Sequence, residues 1–263
     1  MELGLQQRWA LITGSHRGTG EVIAACLAAE QANVIVHGFG ESEARSSAQE
    51  IGVQHYVFGD LRTPKGAASI YEQVLSITET LHILVNNYGE AEPGKWFQTS
   101  ETDWLRVYEK NVLSAMHMVN QFAPAMREQG WGRIIQLSTI GALTPNSRMP
   151  HYYASKAALV NFSLSLAKEL SCSGVTVNCV SPGLIKTPEV TAGLMAKAQS
   201  KGWGNSWEEV EPKAVSEKFP NLVGRIARRE EIAALVCFLA SERAAFINGQ
   251  NIRIDGGAVE LAF

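Results

Sequence analysis

The chain has 263 residues, 46% hydrophobic and 19% charged, which is enough apolar material for one α/β domain with a large core. Its 23 Lys and Arg against 26 Asp and Glu leave a net charge of −3, so no basic field invites nucleic acid or an anionic membrane. Cys26, Cys172, Cys179 and Cys237 are spread without a Cys-x-x-Cys pair and read as buried reduced thiols of a cytoplasmic protein. There is no basic-then-apolar leader, no run long enough to cross a bilayer and no metal-spaced histidine cluster, so neither membrane nor metal is expected.

In chain order, residues 9–13 form a short apolar run that reads as a buried strand. Gly14-Ser15-His16-Arg17-Gly18-Thr19-Gly20 follows at once, then an apolar-periodic helical stretch over 22–29. A strand, a glycine-rich turn and a helix start together present backbone N–H groups and a helix dipole to a pyrophosphate. A second strand over 34–37 comes at the spacing of a βαβ unit, which favours a dinucleotide over a plain turn. Further strand-like runs at 55–58, 83–86, 133–138, 175–180 and 251–254 alternate with helical patterns. That alternation predicts an α/β fold, a doubly wound parallel sheet of about seven strands flanked by helices. With neither linker nor repeat to divide it, the chain reads as one Rossmann domain over 1–263.

Between the fifth and sixth of these strands, His151-Tyr152-Tyr153-Ala154-Ser155-Lys156 opens an apolar helical pattern. It sets a phenol and an ammonium four residues apart, hence on one helix face. A free phenol titrates at about 10 and a nearby cation favours the phenolate, so the pair makes a proton donor and acceptor for a carbonyl or an alcohol. Tyr153 lacks that spacing and reads as a bland neighbour.

Thr13-Gly14-x-x-x-Gly18-x-Gly20, Asn86-Asn87-Tyr88-Gly89, Asn111, Tyr152-x-x-x-Lys156 and Pro182-Gly183, in this order and spacing, resemble the short-chain dehydrogenase/reductase family, and within it members like the 3-oxoacyl-carrier-protein reductases. The resemblance implies a nicotinamide cofactor and reversible carbonyl reduction or alcohol oxidation. Tyr152 would give the proton to the carbonyl oxygen or take it back. Lys156 would lower the tyrosine's pKa and hold the nicotinamide ribose, and Asn111 would hold the water that links Lys156 to solvent. A hydroxyl thirteen residues before the tyrosine would hold the substrate oxygen. Counting back from Tyr152, or from Arg133-Ile134-Ile135, reaches Thr139, whereas aligning on Gly141 selects Ser138; Thr139 is preferred and Ser138 is the alternative.

The cofactor contacts implied by the resemblance are Gly14, Ser15, His16, Arg17, Gly18 and Gly20 in the glycine-rich turn, Gly38 and Phe39 after the second strand, and Asp60 and Leu61 at the adenine edge. Asn87, Tyr88 and Gly89, with Tyr152 and Lys156, continue the site, and Pro182, Gly183, Ile185 and Thr187 would close over the nicotinamide. NADP(H) is favoured and NAD(H) stays possible. No acid stands at Gly38 to accept from the ribose, and Arg17 lies where relatives contact the 2′-phosphate. Against this, Phe39 replaces a second arginine and Glu41 is near enough to repel a phosphate. Tyr88 stands where the family usually has alanine, beside the cofactor channel or filling a gap in the core. Residues 188–221, with Trp203 and Trp207 among glycines, read as a lid over an apolar substrate or as tryptophans that anchor extra helices or a subunit contact, with Met149 and His151 at the pocket mouth.

Three functions fit. The first is NADP(H)-dependent interconversion of a ketone and a secondary alcohol on a hydrophobic or cyclic small molecule. The second is reduction of 3-oxoacyl thioesters, which needs a basic patch that Arg127, Arg148, Lys186 and Lys197 do not clearly form. The third, a dinucleotide-binding sensor, is opposed by the intact Asn111, Tyr152 and Lys156. The helical stretches 111–126 and 152–170 are apolar on more than one face, and in relatives they meet across a two-fold axis, so a homotetramer or homodimer is expected.

Overall fold

Runs of Val, Ile and Leu without polar alternation make strands that are buried on both faces. In the computed structural model, which describes residues 2–260, seven strands pair in parallel, the two edge strands being only partly buried. They are β1 (Trp9–Ile12), β2 (Asn33–Gly38), β3 (His55–Phe58), β4 (Ile83–Asn86), β5 (Gly132–Leu137), β6 (Val175–Pro182) and β7 (Asn251–Ile254), in the order β3-β2-β1-β4-β5-β6-β7. Each strand expected from the sequence is present. The largest shift is in β6, which runs to Pro182 because Ser181 and Pro182 keep their register with Arg253 and Ile254 of β7.

The crossovers and the elements after them are α1 (Gly18–Ala29), α2 (Glu41–Ile51), α3 (Pro64–Ile77), α4 (Glu101–Tyr108), α5 (Ser114–Glu128), α6 (Pro150–Glu169), α7 (Pro188–Lys201), α8 (Trp207–Lys218) and α9 (Arg229–Ala240). Successive strand residues face opposite sides of the sheet. Ala10, Ile12, Val85 and Ile135 therefore join a core with Ile23 and Leu27 of α1 and Ile232 and Val236 of α9. Leu11, Leu84, Ile134 and Val177 join the other core, with Ile70 of α3 and Met118 and Phe122 of α5. Each large apolar side chain buried in these layers contributes about 1.5–3 kcal/mol. The strand order reverses at β1, which has β2 on one side and β4 on the other, and the crevice beyond their carboxyl ends is where such sheets take ligands.

α7 and α8 form a hairpin on a third, smaller core that includes Leu194, Val210 and Ile226. Trp203, expected over a substrate, lies inside that core at 2% exposure and donates from Nε1 to Glu217 (2.9 Å), so it fastens the hairpin. The four cysteines are free, yet only Cys179 and Cys237 are buried. The sulfurs of Cys26 (α1) and Cys237 (α9) lie 2.7 Å apart, a juxtaposition made by the packing of two helices far apart in the chain. No helix among the described residues is long and apolar enough to cross a membrane.

Candidate active site

The turn after β1 passes through left-handed backbone at Gly14 (φ +64) and Gly18 (φ +66), which glycine adopts without the cost of a side chain. Three side chains fix it. His37, at the end of β2, accepts from the Gly14 N–H at Nδ1 (3.0 Å) and donates from Nε2 to the Gly59 carbonyl (3.1 Å). Ser15 Oγ donates to the Ile12 carbonyl (2.7 Å) and accepts from the His37 N–H (3.0 Å). Asn87 Nδ2 donates to the Thr13 carbonyl (2.9 Å). Burial pushes His37 down to about 4, which keeps the ring in the neutral form that this bonding needs. Nothing in the linear pattern marks His37, because a histidine ending a strand reads as an ordinary core residue.

α1 opens on this turn with Arg17 as N-cap and no side chain capping it, and His16 Nδ1 is buried without a partner. Uncapped helix N–H groups and an orphaned ring nitrogen on one turn fit the pyrophosphate of a dinucleotide.

The adenosine side differs from expectation in its acids. Glu41 turns outward to Arg45 and Tyr56, away from the crevice. Glu43 instead caps the start of α2, its carboxylate accepting from the N–H groups of Phe39 (2.6 Å) and Gly40 (2.9 Å). Both carboxylate oxygens of Asp60 are taken by Arg62, and Leu61 is buried in the core. Tyr88 donates its N–H to Thr13 Oγ1 (3.1 Å) and its phenol to Glu90 (3.1 Å), and its ring meets Phe39 edge-on at 5.0 Å. Arg17 is exposed, with Glu189 of α7 its nearest acid at 3.8 Å.

The reacting end is assembled from β4, β5 and three helices. α4 and α5 are joined by a π-helical turn over Glu109–Leu113, whose wider winding carries Asn111 inward. Asn111 Oδ1 accepts from the Glu90 N–H (3.1 Å), and Nδ2 donates to the carbonyls of Glu90 and Val107 (3.0 Å each). Tyr152 and Lys156 stand one turn apart near the start of α6. Lys156 Nζ donates to the Leu137 carbonyl (2.7 Å) and lies 6.0 Å from the centre of the Tyr152 ring. A Cβ on Gly89 would stand 2.6 Å from Asn111 Oδ1 and 2.8 Å from Lys156 Nζ, so both groups converge on the Gly89 backbone and only glycine leaves them room.

Burial lowers Lys156 to about 8. Burial, and then the neighbouring Tyr153, raise Tyr152 above the usual phenol range. Desolvation, and not the expected lowering by the ammonium, sets the direction, and it keeps the phenol in its protonated form.

β5 ends at Leu137, so Ser138 and Thr139 both lie past the strand. Ser138 Oγ is buried and donates to the Lys156 carbonyl (3.0 Å). Thr139 Oγ1 is half-buried and accepts from the Gly141 N–H (3.3 Å), which leaves its own proton without an acceptor among the described residues. Tyr153 accepts from Asn146 at its phenol oxygen (3.0 Å). His151 turns inward against Trp104 at 1% exposure rather than toward a pocket mouth, while Met149 is half-buried as the N-cap of α6. After β6, the Gly183 N–H bonds the Ile254 carbonyl (3.1 Å), Ile185 bridges Ala227, and Thr187 caps α7 by accepting from the Val190 N–H (3.2 Å).

A switch-point crevice with an uncapped glycine-loop helix on one side and a half-buried tyrosine with a buried lysine and asparagine on the other defines a Rossmann-fold oxidoreductase. A family model described as enoyl-(acyl carrier protein) reductase matches residues 14–259. The uncharacterized oxidoreductase YvaG of Bacillus subtilis is 34% identical, with all of both chains covered. The 3-oxoacyl-[acyl-carrier-protein] reductase FabG of Aquifex aeolicus is 35% identical over 98% of this chain and 99% of its own. The crystal structure of L-sorbose reductase from Gluconobacter frateurii, complexed with NADPH and L-sorbose, superposes with a TM-score of 0.91 at 32% identity, covering 99% of this chain and 100% of that one. The chain belongs to the short-chain dehydrogenase/reductase family and is an NAD(P)-dependent oxidoreductase.

Proposed function

We propose that the protein interconverts a ketone and a secondary alcohol on a hydrophobic or cyclic small molecule, using NADP(H). The observation that carries this reading is the convergence of Asn111 and Lys156 on Gly89, beside a Tyr152 that burial keeps protonated. A bound nicotinamide supplies the hydride in reduction and accepts it in oxidation. Thr139 Oγ1 and Tyr152 Oη both donate to the carbonyl oxygen, and the phenol proton passes to that oxygen as charge develops on it. Lys156, charged below about 8 and anchored on Leu137, steadies the phenolate left behind and binds the nicotinamide ribose. Asn111 aims Oδ1 at the same place, to hold a water that returns the proton. Ser138 acts at one remove, tying the Lys156 backbone to the end of β5.

Gly14, Ser15, His16, Arg17, Gly18 and Gly20, with Asn87, Tyr88 and Gly89, take the phosphates and the ribose between them. Gly38, Phe39, Asp60 and Leu61 take the adenosine, and Pro182, Gly183, Ile185 and Thr187 the nicotinamide. The exposed Arg17 and the NADPH complex of the sorbose reductase favour the phosphorylated coenzyme. Residues 188–221, the α7–α8 hairpin and its flanks, serve as the lid. The protein works in the cytoplasm, in keeping with its free thiols, as a homotetramer or homodimer.

Reduction of a 3-oxoacyl thioester is the second reading, supported by the Aquifex relative. It fares worse because two of the four cations a carrier protein would meet are engaged: Arg127 pairs with Glu169 (3.3 Å) and Lys186 lies over the Trp207 ring (4.4 Å). A panel of cyclic and aliphatic ketones, ketoses and a 3-oxoacyl thioester, each assayed with NADPH and with NADH, decides between the two. Turnover of ketones with NADPH is expected, and turnover of the thioester alone would transfer the reading to the second.

A further inference from the structure

We propose that Arg62, stacked on Phe39, supplies the second cation of the 2′-phosphate site, doing from the β3–α3 turn what an arginine at position 39 would do from the end of β2. The inference rests on the NADP(H) reading above and goes beyond it to a residue outside the expected contact set.

The sheet brings the two positions together. Gly38, just before Phe39, is in register with Phe58, and the Gly59 N–H bonds the Gly38 carbonyl (3.1 Å), so the segments leaving β2 and β3 run side by side. The Arg62 guanidinium carbon then sits 5.1 Å from the centre of the Phe39 ring, at cation–π distance. The Phe39 ring also meets Tyr88 edge-on at 5.0 Å.

The guanidinium is fixed in advance. Asp60 takes its Nε and Nη2 (2.8 Å each), which holds the planar fork in one orientation. Nη1 has no hydrogen-bond partner among the described residues, and the side chain is 37% exposed. A phosphate dianion could therefore bond Nη1 without displacing Asp60. Arg17, 70% exposed on the glycine-rich turn, supplies the other cation. Of the acids nearby, Glu41 is turned out to Arg45, Asp60 is paired with Arg62 itself, Glu43 is engaged by two backbone N–H groups, Glu90 is engaged by Tyr88 and Lys110, and Glu189 lies 3.8 Å from Arg17.

Two other roles make different predictions. If Arg62 only fastens the β3–α3 turn, its loss affects both coenzymes and the melting temperature alike. If Glu43 is a ribose acceptor, the site prefers NAD(H), and Glu43→Gln weakens that coenzyme.

The test is calorimetric titration of the full chain with NADP+ and with NAD+, for wild type, Arg62→Ala, Arg62→Lys and Arg62→Ala/Phe39→Arg, with melting temperatures in parallel. Loss of a charge-assisted bond to phosphate should weaken NADP+ by about 10- to 100-fold. NAD+ should change by less than about threefold, within the scatter of a lost surface contact. Arg62→Lys should keep part of the preference, because the charge survives while the fork is lost. Moving the arginine to position 39 should restore it. A wild type that binds NAD+ as tightly as NADP+ would overturn the NADP(H) reading and this inference with it. A wild type that prefers NADP+ while Arg62→Ala keeps that preference, or weakens both coenzymes equally, would overturn this inference alone.

Discussion

A hydroxyl can serve the substrate only if its proton is not already committed, and that separates Thr139 from Ser138. Thr139→Val keeps the shape and removes the donor, so kcat should fall on the order of 10²-fold, as for the loss of one oxyanion-hole donor. Ser138→Ala loses the bond to the Lys156 carbonyl and should cost about 1 kcal/mol of stability with a much smaller effect on kcat. Steady-state kinetics and thermal melts of the two variants check this, and the opposite ranking would give the role to Ser138. Lys156 carries a pH signature. Burial sets it at about 8, so the ammonium is present below that pH and lost above it. The kcat/KM for carbonyl reduction should therefore decline as pH rises through about 8, and a profile flat across that region would remove Lys156 from the proton chemistry. Tyr153→Phe should be mild, since its phenol serves only Asn146.

At the scale of elements, the glycine-rich turn depends on a neutral His37 bridging β1, β2 and the turn after β3. An unfolded histidine titrates at about 6.5, and the folded one at about 4. Between those values the unfolded chain takes up a proton that the native protein does not, so stability present above about 6.5 is lost as pH falls toward about 4. Denaturant melts across that window should show the decline, and His37→Gln, though less stable at neutral pH, should show a shallower one; an unchanged slope would contradict the assignment. The strands and the nucleotide turn were legible in the sequence because apolar runs and glycines act locally. His37 and Glu43 were not, because their roles arise where three strand ends meet. The π-turn that aims Asn111 has no helical-period signature of its own. The Cys26–Cys237 approach is equally hidden, since it follows from α1 packing on α9 rather than from spacing. Trp203 misled for the converse reason: a tryptophan between glycines looks like a lid residue until the small core it fills is visible.

For the whole molecule, α6 and the turn before it keep apolar side chains that the other described residues do not cover. Leu164 is 44% exposed and Leu143, nearby, 39%. These make a surface that a second copy would cover, so light scattering of the purified protein should report a tetramer or a dimer, and a monomer at micromolar concentration would contradict that.

The central claim is that Tyr152 gives its proton to a carbonyl reduced by the nicotinamide. The most direct measurement follows the absorbance of reduced nicotinamide with the best ketone of the panel, for wild type and Tyr152→Phe, with coenzyme affinity measured on the same samples. The variant should bind coenzyme within about threefold of wild type and lose on the order of 10²- to 10⁴-fold in kcat, the range for removal of a general acid. A Tyr152→Phe protein that turns over as fast as wild type would contradict the claim.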